Sequence, residues 1–348
     1  MFQAPKYFMY FPGNYRWSAA FVNMLGTAVS GGVDISELHA IGRMLDGKSG
    51  EDDEAWFDAS VKVADTVRSH AEKFSAERHP VSAASFYLRA CHYYQMGERF
   101  RTPKDARALD AYRKSVECFH QFVALSGSKI EIVDVPFEGK KLPGYFVPAQ
   151  NAKSAPPPCM VFFDGLDVTK EIQYLRGVPD LVRRGISVLV MDGPGTGEAI
   201  RFRGMPLRYD YEKAGGACIA WGAIWDYYGT WKKRIDAGFQ ASMSVPGHHI
   251  MWILGVDSLD AALKKLEPFR LDGVVQKMRC PFLIVHGADD EQIPLKDAQA
   301  LYDASGSADK TLRVFTAEEG GAQHCQRDYL SLGTAVMWNW LEDKLLGA

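Results

Sequence analysis

The stretch Cys280-Pro-Phe-Leu-Ile-Val-His286-Gly-Ala-Asp289-Asp290-Glu-Gln-Ile-Pro294 decides the fold. An apolar run ends in a glycine-containing turn with carboxylates, and Pro294 suits the first helical position, so the pattern predicts a strand, a loop and a helix. A second apolar run, Thr311-Leu-Arg-Val-Phe315, follows, and His324 comes shortly after it. The order therefore predicts an acid beyond one strand and a histidine beyond the next.

An acid and a histidine in these positions are typical of a proton-transfer pair. A buried carboxylate fixes the imidazole tautomer and stabilises the imidazolium that forms when the histidine takes a proton from a nucleophile. Asp290 is preferred to Asp289 because of its spacing from the glycine and the proline of the turn, and His286 is interpreted as structural. The alternative is that the acids only end a strand and cap a helix, and that His324 is a polar surface residue.

Composition limits the classes of function. With 348 residues, 47% of them hydrophobic, the chain can bury one large α/β domain and a smaller one. A net charge of −3 argues against nucleic acid or an anionic membrane as a partner. The six cysteines lack CxxC spacing and are expected to be reduced core residues of a cytoplasmic protein. No apolar run approaches the ~20 residues of a membrane helix, and no secretion signal is recognised.

The hydrophobic period divides the chain into two domains. Residues 1–125 carry helical spacing and predict an all-α N-terminal domain of four or five helices. From Lys129 the pattern changes to a hairpin and then to strands that alternate with helices. Residues 126–348 therefore predict an α/β domain, with a mostly parallel sheet flanked by helices and with ligands at the carboxyl ends of the strands.

Several motifs along the chain together carry a resemblance to a known family. They are Asp164-Gly165-Leu166, Asp192-Gly-Pro-Gly-Thr-Gly-Glu198, Trp221-Gly222-Ala223, His286-Gly-Ala-Asp-Asp290 and Gly320-Gly-Ala-Gln-His324. With the helical domain and the hairpin, they resemble the α/β-hydrolases related to 2,6-dihydroxypseudooxynicotine hydrolase and to the fungal polyketide-shortening hydrolases of pigment synthesis. The resemblance spans nearly the whole chain and implies the α/β-hydrolase fold.

The resemblance also implies a function and a set of site residues. It implies hydrolysis of a carbon–carbon or ester bond in an acyl-aromatic or polyketide-like small molecule by serine, aspartate and histidine, with Asp290 and His324 as the acid and the base. The backbone N–H groups of Gly165 and Leu166 are expected to form half of an oxyanion hole. A homodimer through the helical domain is a further expectation of the resemblance.

No cofactor or metal is expected. The glycine-rich run from Asp192 to Glu198 lacks the Lys-Ser/Thr of a Walker motif and is not a GxGxxG fingerprint, which argues against nucleotide binding. His248 and His249 are adjacent on one segment, so their side chains point apart and form a poor metal site.

The expected nucleophile is missing. No Gly-x-Ser-x-Gly elbow occurs in the sequence, and no serine lies between Asp192 and Asp226. The stretch from Gly193 to Gly216 has room for one crossover, whereas two crossovers and an intervening strand need roughly forty residues. The sequence therefore predicts that the strand bearing the nucleophile, and its helix, have been lost.

Three interpretations of this loss stay open. A serine-type hydrolase ancestry is the first, and a catalytically silent protein that binds an aromatic ligand or a partner chain is the second. In the third, Cys218, within Gly216-Ala-Cys218-Ile-Ala220, serves as a thiol nucleophile in a hydrolase or acyltransferase. A buried strand cysteine is the favoured interpretation of Cys218.

An aromatic-rich insertion over about 227–266 is expected to form a helical lid over the pocket. Its side chains would suit a flat apolar ligand, although packing within the lid explains them equally well. The predicted substrate-binding residues are Trp225, Asp226, Trp231 and Trp252.

Overall fold

Among the described residues, five α-helices precede the first strand. The computed structural model describes residues 8–162, 165, 167–210, 219–239 and 246–347. The helices are α1 (Tyr15–Leu25), α2 (Ile35–Met44), α3 (Asp53–Ala76), α4 (Pro80–Phe100) and α5 (Ala106–Leu125).

Local chemistry sets where these helices begin and what they bury. The side chains of Asn14, Asp34, Asp52 and Asp105 each accept a backbone N–H at a helix start, which satisfies one otherwise unpaired donor. Trp56 of α3 is fully buried, and its ring N–H donates to the Met96 carbonyl of α4 at 2.6 Å.

A hairpin opens the α/β domain and joins the first of two sheets. β1 (Glu131–Phe137) pairs antiparallel with β2 (Lys140–Val147), and β2 pairs antiparallel with β4 (Ser187–Met191). β3 (Cys159–Phe162) pairs parallel with β4, so the strand order is β1-β2-β4-β3.

The second sheet is parallel throughout and carries the predicted acid and histidine. β5 (Ile219–Trp221), β6 (Phe282–Gly287) and β7 (Lys310–Phe315) pair in that order. All six residues of β6 are buried, which suits a parallel strand covered on both faces. Among the described residues, β3 is an end strand of the first sheet and β5 is an end strand of the second. Both sheets nevertheless share one hydrophobic core.

The helices that flank the first sheet are short. The crossover between β3 and β4 is broken at Gly177 into α6 (Lys170–Leu175) and α7 (Val178–Arg183), and α8 (Gly197–Arg201) follows β4. Gly177 has a φ of +147°, and a Cβ there would lie 2.4 Å from the Trp338 ring nitrogen.

Three helices occupy the region of the expected lid. They are α9 (Tyr227–Asp236), α10 (His249–Leu254) and α11 (Leu259–Leu266), and they pack around a hydrophobic cluster of their own. The chain ends with α12 (Leu295–Ala304) and α13 (Leu330–Leu346). Pro294 is the N-cap of α12 rather than its first helical residue, since its ψ of 143° is extended.

A buried charged cluster joins the helical domain to the first sheet. Lys170 Nζ lies 2.7 Å from Glu171, 2.9 Å from Asp192 and 2.5 Å from Glu198. Gln95 of α4 donates to the second oxygen of Glu171 at 3.0 Å. Because Lys170 is the cation that these three carboxylates share, its removal would leave buried negative charges without a counter-ion.

We expect Lys170→Met to lower the free energy of unfolding by about 3–5 kcal/mol at pH 7, the cost of removing one partner from a buried ion pair. The loss should shrink as the pH falls, because the orphaned carboxylates then take up protons. Urea denaturation followed by circular dichroism measures both effects.

Lys232→Met is the matched control, since Lys232 forms an exposed pair with Asp236. Its loss should change the free energy of unfolding far less than the loss of Lys170, because solvent screens an exposed ion pair. Equal losses of unfolding free energy in the two variants would contradict the proposed contribution of the buried cluster to stability.

Candidate active site

The turn after β6 places Asp290 in a fully satisfied, buried position. Its Oδ1 accepts the backbone N–H groups of Gln292 at 2.8 Å and Ile293 at 2.9 Å. Its Oδ2 accepts Nδ1–H of His324 at 2.7 Å, and the Asp290 side chain has no exposed surface. The structure therefore brings together the acid and the histidine that the sequence singled out.

A second carboxylate shapes the loop that carries His324. Asp328 accepts three successive backbone N–H groups, those of Gly321 at 2.9 Å, Ala322 at 3.0 Å and Gln323 at 3.1 Å. These bonds fix the backbone immediately before His324. Sequence reasoning missed Asp328, because its distance along the chain from the glycines gives no sign that the loop folds back onto it.

Two glycines permit the close approach of the strands to this loop. A Cβ at Gly287, the last residue of β6, would lie 2.2 Å from the Ala322 carbonyl oxygen. Gly222 follows β5 with a φ of +62°, and a Cβ there would lie 2.9 Å from Cys325 Sγ. Gly287 therefore has no space for a side chain. Gly222 lacks space as well, and its positive φ also disfavours other residues.

Cys325 occupies the side of the imidazole that faces away from Asp290. Its Sγ lies 3.5 Å from His324 Nε2 and 3.8 Å from the Trp221 carbonyl oxygen. Cys325 and Gln326 have φ values of +52° and +50°, a conformation that costs non-glycine residues roughly 1–3 kcal/mol each and that clusters at functional sites. Sequence reasoning missed Cys325, whose one signal was its place beside His324.

Hydrogen bonds and charges shift the pKa values of the pair in opposite directions. Burial alone would lower the pKa of His324, but Cys325 and Asp290 together raise it to about 9. Burial alone would raise the pKa of Asp290, whereas the charge and hydrogen bond of His324 and the Ile293 amide hold it below its usual value. The resting site is therefore an ion pair of carboxylate and imidazolium near pH 7.

The neighbouring candidates take structural roles. His286 is buried, and its Nε2 lies 2.9 Å from the Ile293 carbonyl oxygen and 3.7 Å from Asp290. Asp289 is exposed, and its backbone N–H donates to the Ala322 carbonyl at 2.9 Å. Both observations agree with the choice of Asp290 as the acid.

The residues predicted to form the oxyanion hole, and the cysteine considered as a nucleophile, lie next to or outside the described ranges. Gly165 follows β3, is exposed, and has no atom within 4 Å of the position of a Cβ. Leu166 and Cys218 lie outside the described residues, so the expectations for them stay predictions. Of the other cysteines, Cys91 and Cys118 are buried, as expected, but Cys159 and Cys280 are exposed rather than in the core.

Most of the predicted substrate-binding residues are structural. Trp231 is 1% exposed and packs inside the lid cluster, so its expected contact with a ligand is wrong. Asp226 caps α9 by accepting the Gly229 N–H at 3.2 Å. Trp225 is half-buried against the cluster beneath α12, and its backbone N–H donates to Asp297 at 3.1 Å.

Trp252 is the exception, because it lies beside a polar cleft between the helical domain and the lid. Its ring is 5.1 Å from the Arg201 guanidinium and 5.1 Å from the His249 ring. The cleft is lined by residues of α4, α5, α6, α8 and α10 and of the segment before α6: Gln95, Met96, Glu98, Arg99, Tyr112, Asp167, Thr169, Ile172, Arg201 and His249.

Two kinds of site receive no support in the described part of the chain. No group of three or more histidine, cysteine, aspartate or glutamate side chains there is arranged to hold a metal ion. No helix among the residues described is both long and apolar enough to cross a membrane.

Comparisons with known proteins find relatives over nearly the whole chain. No family model matches it. The hydrolase acrC of Aspergillus aculeatus is 23% identical over 424 aligned positions, which cover 97% of this chain and 98% of the relative. The hydrolase LUC6 of a Fusarium species is 25% identical over 96% of this chain and 97% of its own. The 20-hydroxy-prefusarin hydrolase FUS2 of Gibberella moniliformis is 25% identical over 92% and 94%.

Solved structures show the same fold. The crystal structure of 2,6-dihydroxy-pseudo-oxynicotine hydrolase matches with a TM-score of 0.74 and 20% identity, over 93% of this chain and 96% of that one. Wild-type AbyA5 matches with a TM-score of 0.64 and 15% identity, over 90% of each chain. This chain therefore has the α/β-hydrolase fold, and its sequence is similar to the sequences of these fungal hydrolases.

Proposed function

We propose that this chain hydrolyses a carbon–carbon or ester bond next to a carbonyl group, with Asp290 as the orienting acid and His324 as the base. The buried 2.7 Å hydrogen bond between them carries the proposal. Asp290 holds the proton on Nδ1, which leaves Nε2 to accept a proton from the attacking group and to pass it to the leaving group. The relatives of this chain are named as hydrolases, which supports the same class of reaction here.

The substrate class rests on the relatives. One relative is named as a hydrolase of 20-hydroxy-prefusarin and a structural neighbour as one of 2,6-dihydroxy-pseudo-oxynicotine. We propose an acyl-aromatic or polyketide-like substrate of the same general kind.

A second candidate is a thiol hydrolase, and Cys325 is the observation that favours it. Its sulfur lies 3.5 Å from His324 Nε2, the ring nitrogen that is not bonded to Asp290. A nucleophile activated by His324 would have to lie at this position. In the described part of the chain, no serine hydroxyl makes a hydrogen bond to that nitrogen. Cys325 therefore replaces Cys218 as the thiol with geometric support.

Turnover of an activated aryl ester and of a β-diketone tests the proposed function. We expect His324→Ala to lower kcat/KM by about 10²–10⁴-fold, the usual contribution of a general base. Because the base must be neutral, kcat/KM should rise about tenfold per pH unit and level off near the His324 pKa of about 9. Unchanged turnover in the His324 variant would contradict the proposal.

Replacing Cys325 distinguishes the two candidates. If the thiol attacks the substrate, Cys325→Ala should abolish turnover. If Cys325 only neighbours the base, turnover should persist and the pH limb should move to lower pH, because a group that raises the His324 pKa is gone. Cys280→Ala, which removes an exposed thiol, is the matched control and should change neither result.

The ion pair also predicts a pH dependence of stability. A histidine whose pKa rises from about 6.5 in the unfolded chain to about 9 in the folded one stabilises the fold below pH 6.5, and this contribution is lost as the pH rises to 9. We expect the free energy of unfolding to fall more steeply over this window in the wild type than in Asp290→Asn, because Asp290 is one of the two groups that raise this pKa. Parallel pH profiles in urea denaturation would contradict the ion pair.

A further inference from the structure

The loop that carries His324 also carries an arginine that the proposed reaction does not use. Arg327 follows His324 in this loop, and its Nε and Nη1 are buried without a hydrogen bond to any described residue. A guanidinium stays charged in proteins, and burial of a charge costs free energy unless hydrogen bonds or an opposite charge compensate it. The residue as a whole is half-buried, so its side chain borders solvent. Arg327 therefore offers donors that the described part of the chain leaves unused.

Arg327 belongs to a group of cations between the helical domain and the α/β domain. Arg99, near the end of α4, is buried and pairs with Asp167, and its Nη1 donates to the Asp167 carbonyl at 3.5 Å. Burial would raise the pKa of Asp167, but four nearby cations hold it below its usual value. They are Arg99, Arg327, Arg176 and His324. The three arginines are called the arginine cluster below.

Contacts of Trp221 place the arginine cluster beside the acid–base pair. The guanidinium carbon of Arg176 lies 5.8 Å from the centre of the Trp221 ring. The ring N–H of Trp221 donates to Gln326 Oε1 at 2.7 Å, and its carbonyl oxygen lies 3.8 Å from Cys325 Sγ. Trp221, the last residue of β5, therefore connects Arg176 with the loop after β7. This is the carboxyl end of a parallel strand, where ligands of α/β sheets bind.

A carboxylate is the anion that fits these donors. An arginine binds a carboxylate through two parallel N–H···O bonds, and such charge-assisted bonds are about twice as strong as neutral ones. The positive charges of Arg99 and Arg176 would add to the attraction. The proposed hydrolysis also releases a carboxylic acid beside His324, and that acid is ionised near pH 7.

We propose that the arginine cluster binds an organic carboxylate beside His324, and that Arg327 donates the hydrogen bonds that hold it. The carboxylate belongs either to the acid that the hydrolysis releases or to a substituent of the substrate. Both sources present the same two oxygens to the guanidinium. Binding does not require turnover, so only the choice between the two sources rests on the proposed function.

Calorimetric titration of the full chain with phenylacetate and with phenylacetamide tests the site. The two probes have nearly the same shape and differ in charge. We expect phenylacetate to bind the wild type more tightly than phenylacetamide does. Arg327→Met should weaken the binding of phenylacetate about 10–100-fold, the usual effect of losing hydrogen bonds to a charged group. Arg113→Met, which removes an exposed arginine of α5, is the matched control and should change neither affinity.

The stability of Arg327→Met separates a binding role from a structural one. Replacing a buried charge that has no partner by an apolar side chain removes a cost, so the variant should unfold at a higher urea concentration than the wild type. Saturating phenylacetate should stabilise the wild type and not the variant. Unfolding of the variant at a lower urea concentration would mean that Arg327 already has a partner in the fold, and it would overturn the proposal.

Turnover of two esters identifies the source of the carboxylate. The p-nitrophenyl monoester of succinate carries a second carboxylate, and p-nitrophenyl butyrate does not. If the site holds a substrate carboxylate, Arg327→Met should raise KM about 10–100-fold for the succinate ester alone. If it holds the released acid, phenylacetate should inhibit hydrolysis of both esters competitively, and the variant should resist this inhibition.

Two further results distinguish the site from the proposed function. Binding of phenylacetate that depends on Arg327, without turnover of either ester, would support the site and contradict the proposed function. Equal affinity of the wild type for phenylacetate and phenylacetamide would overturn the proposed site, and this comparison requires no variant to fold. Equal binding of phenylacetate by the wild type and Arg327→Met would overturn it as well.

Discussion

The hydrogen bond between Asp290 and His324 is the interaction on which the account depends. It requires three features to hold at once. The turn after β6 must bury the carboxylate among backbone donors, Asp328 must fold the loop after β7, and Gly287 must let the loop approach. Each feature is local, and none involves the first sheet. The acid and base can therefore stay assembled although the sheet beside them is interrupted.

The interruption explains why the site is both well formed and incomplete. β6 is fully buried and positions Asp290, whereas β3 and β5 each pair on one side only among the described residues. Open strand edges bind other strands readily, and proteins usually protect them. The buried Lys170 cluster and the stacking of Phe119 on Tyr145, with ring centroids 4.5 Å apart, tie the first sheet to the helical domain instead.

Much of this could be predicted from sequence, and the reasons for the failures are physical. The five helices, the hairpin, and the Asp290 and His324 positions follow from period and order along the chain. The mostly parallel α/β arrangement also follows from the alternation of strands and helices along the chain. Trp231 and Asp226 were assigned to substrate binding from residue type and position along the chain. The structure instead shows that Trp231 is buried within the lid cluster and that Asp226 caps a helix. The contacts of Asp328 and Cys325 depend on how the loop after β7 folds, and the spacing of residues along the sequence does not predict that fold.

The central claim is that Asp290 and His324 form an acid–base pair that activates no serine of the described residues. Labelling the full chain with a fluorophosphonate, followed by intact-mass and peptide mass spectrometry, tests it most directly, because such reagents modify serines activated by a neighbouring histidine. The account predicts that no serine acquires a stoichiometric adduct. A single serine phosphonylated in the wild type, and unmodified in His324→Ala, would contradict it.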